Sequence, residues 1–105
     1  AQRLRREWEE LLVQREAELG PDHIEVAKVL LALASVDARL GEPAAQKQRL
    51  ERALAACERE YGEDHLEVAA ILASLGNAEM ALERPEAQRR ALERALRIKE
   101  RALGP

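Results

Sequence analysis

The chain has 105 residues, a net charge of −3, 47% hydrophobic residues and only two aromatic side chains, Trp8 and Tyr61. That length holds one domain, and so small a charge argues against nucleic acid or an anionic membrane surface as a partner. The single cysteine, Cys57, excludes an internal disulfide, and no apolar run approaches the ~20 residues of a membrane span.

Leu, Ala, Glu and Arg dominate, a mixture that favours helix almost everywhere. The first predicted helix, near residues 2–19, carries Leu4, Trp8, Leu11 and Leu12 at helical spacing. The second, near 23–40, begins after Asp22 with Glu25 three residues on, the pattern of a capping box. Val26, Val29, Leu30, Leu33 and Val36 then form an apolar stripe, and Gly41 is placed to end the helix in a left-handed conformation. Pro43 suits the first turn of the third helix, near 43–61, which sets Leu50, Ala53, Leu54 and Cys57 on one face before Gly62. Asp64 and Glu67 open a fourth helix near 65–82, and Pro85 a fifth near 85–103.

The fourth and fifth helices repeat the second and third. Residues 20–61 align on 62–103 without a gap, with 19 identities in 42 pairs. "GPDHIEVA" at 20–27 returns as "GEDHLEVA" at 62–69, and Trp8 and Leu12 fall under Leu50 and Leu54. The chain therefore divides into a trailing second helix of a preceding repeat (1–19), two full repeats (20–61 and 62–103) and the start of a further one at 104–105. It opens and closes in mid-pattern and reads as part of a longer array. Short links make consecutive helices antiparallel, and no helix pair of this kind buries its own apolar face. The expected fold is all-α, a right-handed α-solenoid of about five helices.

With "RLERALAACEREYG" and "ALERALRIKERALG", these motifs resemble the tetratricopeptide repeats of the kinesin-light-chain type. The resemblance spans the whole chain and implies a scaffold that binds a peptide or protein on the concave face formed by the first helix of each pair. Carried over by alignment, that face comprises Lys28, Leu31, Ser35, Arg39, Ala73, Asn77 and Met80, together with Ala32, Ala38, Ala70, Ser74 and Ala81. The pair of asparagines usual in such repeats is replaced here by Leu31–Ala32 and Ala73–Ser74, and a customary tyrosine by Asp37 and Glu79.

Chemistry is sparse. His23 and His65 each follow an aspartate but lack the ligand spacing of a metal site, and read as repeated turn residues. Cys57 lies on an apolar stripe with no base in prospect and reads as a small core residue. The carboxylates fall in exposed Glu–Arg patterns such as "LERAL", and no phosphate-binding glycine loop or nucleophile elbow occurs. Neither catalysis, nor a metal, nor a cofactor is expected. The reading is a non-catalytic, cytoplasmic protein-interaction module. The alternative is a spacer that associates with itself through apolar ends at Leu4, Trp8, Leu11 and Ile98.

Overall fold

A computed structural model describes residues 2–104. It contains α1 (Gln2–Leu19), α2 (Ile24–Arg39), α3 (Pro43–Tyr61), α4 (Leu66–Ala81) and α5 (Pro85–Leu103), joined by links of three or four residues. No strand occurs among the described residues. The extensive packing is between consecutive helices: α1 on α2, α2 on α3, α3 on α4 and α4 on α5. The Cα atoms span 42 × 30 × 17 Å, a slab about two helices thick. α2 and α4 form one layer, and α1, α3 and α5 the other. This is the helical-repeat stack that the period of 42 residues predicts.

The core runs through the slab as layers. Val26, Leu30 and Leu33 of α2 recur as Val68, Leu72 and Leu75 of α4, all buried. Leu12, Leu50, Ala53, Cys57, Ala95 and Ile98 meet them from the other layer. Ile98 is 2% exposed, which corrects its assignment to an exposed apolar end: it faces the core, and the open surface of α5 is formed instead by Leu92 and Leu96. Trp8 and Leu11 are half-buried against the core, while Leu4 is more open.

The helix starts also differ from expectation. α2 and α4 begin directly after His23 and His65, so the histidines, not Asp22 and Asp64, are the capping residues. Each is extended, and the Glu25 and Glu67 amides donate to its Nδ1 over 3.0 Å. The aspartates, one residue too early to cap, reach across instead to Arg59 at 3.2 Å and Arg101 at 3.0 Å. A side-chain acceptor at this position is worth roughly 1 kcal/mol. His23→Ala is therefore expected to cost about 1 kcal/mol in urea unfolding and His23→Asn to keep most of it. Equal losses would show that the cap is not what matters.

The ends of α2 and α4 are closed alike. The Glu42 amide donates to the Asp37 carbonyl and the Arg84 amide to that of Glu79, both over 2.9 Å. This closure requires a left-handed residue just past the helix. Gly41 supplies it at φ 69°, but the matching residue of the second copy is Glu83, at φ 59°. A side chain there costs about 1 kcal/mol. Glu83→Gly is expected to raise stability by about that amount, measured as a higher urea midpoint with an unchanged slope.

Candidate functional site

Two successive short links turn the chain twice, so α2 and α4 run side by side with α3 behind them. Between them lies a depression of about 510 Å³. Leu31, Ser35, Ala38 and Arg39 of α2 form one wall, Glu67, Ala70, Ile71 and Ser74 of α4 the other, and Gln46 and Leu50 of α3 line the floor. Small side chains at Ser35, Ala38, Ala70 and Ser74 keep it open. Ser35 Oγ donates to the Leu31 carbonyl in its own helix over 3.3 Å. Arg39 and Glu67 place opposite charges along its length.

Of the expected residues, the depression gathers Leu31, Ser35, Ala38 and Arg39 of α2 and Ala70 and Ser74 of α4. Lys28 is exposed on α2 and tied to Glu25 at 2.8 Å. That bond, before any other influence, holds the Glu25 carboxyl below its ordinary value, and the same contact raises the Lys28 ammonium. Ala73, Asn77 and Met80 do not line the depression. They are the counterparts, 42 residues on, of Leu31, Ser35 and Ala38, so they lie on the side of α4 that faces away from α2. The residues of α4 that line it are Ala70 and Ser74, both expected, with Glu67 and Ile71, which were not. Taking the same alignment columns from both repeats therefore mixes residues of this groove with residues on the far side of α4.

Sequence reasoning missed the buried charges. Asp37 is fully buried between Arg5 Nη2 at 2.9 Å and Arg49 Nε at 3.1 Å, and Arg5 also pairs with Glu42. Glu79, its counterpart, meets Lys47 at 3.3 Å and Arg84 at 3.8 Å. The signal was present: Arg5 and Lys47 stand 42 residues apart, as do the two acids.

Cys57 is buried, and burial, with a smaller contribution from Glu67, pushes its thiol above the ordinary value. That is the opposite of an activated nucleophile. Among the described residues, no cluster of three or more His, Cys, Asp or Glu could hold a metal ion. No described helix is long and apolar enough to cross a membrane.

Stacked antiparallel helices with a groove along one layer define a helical-repeat protein. The sequence model of the Tetratricopeptide repeat family matches residues 26–67 and 68–105, and the chain belongs to that family. Repeats of this family generally serve as protein-interaction modules. No curated protein matches the chain.

Proposed function

We propose that the depression between α2 and α4 binds a short segment of a peptide or protein, and that the chain acts as a non-catalytic interaction module built from repeats at 20–61 and 62–103. The observation that carries this reading is the groove: about 510 Å³, walled by small side chains and floored by Gln46 and Leu50. Such a surface accepts a chain laid along it, with Arg39 and Glu67 fixing its direction. The sole thiol, buried and unreactive, suits a reducing cytoplasm.

Peptides selected from a random display library on the protein are expected to shift the amide resonances of Ser35, Arg39, Ala70 and Ser74. They should lose at least tenfold in affinity when Ala70→Trp fills the groove. Selected peptides that bind the Ala70→Trp variant equally well would overturn the assignment.

A second reading is favoured by the open side of α5, where Leu92, Leu96 and Leu103 are exposed. Patches of this kind serve association. In that reading the chain is a spacer that stacks on itself, using Leu4, Trp8 and Leu11 at the opposite end. Sedimentation over a concentration range separates the two, since only an assembling chain grows heavier with concentration, and Leu96→Glu, at an exposed position, is expected to reduce that growth.

A further inference from the structure

We propose that a file of arginines along α5 is a second binding surface, in the other layer from the groove. It takes an acidic peptide segment whose two carboxylates stand about 10 Å apart. The ground for this is a departure from the repeat, not the repeat itself.

Arg90, Arg94, Arg97 and Arg101 follow one another at intervals of four, three and four, which sets them in one file on a helix. Two of them belong to the stack. Arg94 Nη2 meets Glu58 of α3 at 2.6 Å, as Arg52 meets Glu16 of α1 at 2.8 Å. Arg101 Nη1 meets Asp64 at 3.0 Å, as Arg59 meets Asp22 at 3.2 Å. The other two do not. Arg90 stands where the preceding repeat has Gln48, and Arg97 where it has Ala55, and both positions are exposed in both copies. Among the described residues neither arginine forms an ion pair, although Glu86, Glu93 and Glu100 lie within about a turn of them on the same helix. Glu93 turns instead to Arg89, at a long 3.9 Å. The preceding repeat folds with glutamine and alanine in these places, so the stack has no need of the two guanidinium groups.

Each free arginine borders a shallow depression of its own. Arg97 lines one of about 250 Å³ with Glu63, Asp64, Arg94 and Arg101. Arg90 lines one of about 270 Å³ with Arg84, Pro85 and Glu86. The two arginines are seven residues apart, two turns of the helix, or about 10 Å.

The mixed charge of the depressions selects the occupant. A guanidinium fork matches a single carboxylate through two parallel hydrogen bonds. A phosphate, with roughly two charges, would also face Glu63 and Asp64 in one depression and Glu86 in the other. An anionic membrane meets the same acids. Nucleic acid is disfavoured further, because neither Trp8 nor Tyr61 lines either depression and the bases find no ring to stack on. The fitting ligand is a peptide with aspartate or glutamate three residues apart in an extended chain, a span of about 10 Å.

Short peptides of one composition, with two glutamates either three apart or adjacent, test the surface by titration followed in amide spectra. The three-apart peptide is expected to bind about threefold more tightly and to shift the resonances of Arg90 and Arg97. Arg90→Gln with Arg97→Ala, which restores the residues of the preceding repeat, should weaken it about tenfold with urea unfolding unchanged. Arg3→Gln with Arg6→Gln makes the same charge change at exposed positions of α1, and should alter binding by less than about twofold. Equal affinity of the two peptides, or an equal loss in the α1 variant, would reduce the effect to net charge and overturn the proposal. So would an RNA oligonucleotide or phosphatidylserine vesicles that bind through Arg90 and Arg97 more tightly than the peptide, because the occupant would then be of another class.

Discussion

Replacing Leu33 with alanine is expected to lower the unfolding free energy by about 3 kcal/mol. Leu33 is fully buried in the α2 layer, beside Leu30 and Val26. Removing its branched end leaves a cavity that neighbours fixed by their own packing only partly fill. For a small domain holding roughly 5–15 kcal/mol in all, that is a large share. Where the damage spreads is equally informative. Each helix packs chiefly on those next to it in the chain, so stability is set by nearest-neighbour contacts. Hydrogen exchange should therefore accelerate most in α1, α2 and α3 and least in α5. Equal acceleration in all five helices would mean one closed core and would contradict the layered packing.

Asp37→Ala is expected to cost a further amount of similar size, about 3 kcal/mol, for an electrostatic reason. The substitution leaves Arg5 and Arg49, each only 19% exposed, facing one another with no carboxylate between them. A buried pair is costly to break from one side, whereas replacing the whole group by apolar residues is often neutral. The triple variant Asp37→Leu, Arg5→Met, Arg49→Met should accordingly recover most of the loss in urea unfolding. If it is as unstable as Asp37→Ala, the explanation by stranded charge fails. Glu79→Ala should cost less, because the carboxylate it removes is held by one lysine at 3.3 Å and a more distant arginine.

The helices were legible in the sequence because three independent signals agreed. Apolar spacing marked the buried faces, Pro43 and Pro85 marked starts, and glycines marked ends. The alignment of 20–61 on 62–103 then gave the stacking. The caps were misread because Asp before a helix is the commoner signal; nothing in "PDHIE" says that the helix begins one residue later. Ile98 was misplaced because α5 has apolar residues on two sides, and spacing alone does not say which side meets α4. The groove was half legible. Leu31, Ser35, Ala38 and Arg39, with Ala70 and Ser74 opposite them, came from the alignment, but Glu67 and Ile71 did not, because how α4 rotates against α2 is contained in no column of it. Asp37 and Glu79 stood out as departures from the family pattern, yet their role needed Arg5 and Lys47 beside them in space.

Three cross-helix ion pairs recur at an interval of 42 residues, Arg5–Asp37 as Lys47–Glu79, Arg52–Glu16 as Arg94–Glu58 and Arg59–Asp22 as Arg101–Asp64. This bears on how such a chain tolerates change in its gene. Adding or deleting 42 residues preserves these donors and their acceptors, because both shift together, whereas the pairs of Arg49, whose counterpart is Ala91, are not repeated. Inserting one residue midway through α3 turns everything after it by about 100°, which moves Arg52 and Arg59 out of line with Glu16 and Asp22 at a stroke. Lengthening by whole-period duplication is therefore nearly silent to the fold, and a slip of a single codon within a helix is not.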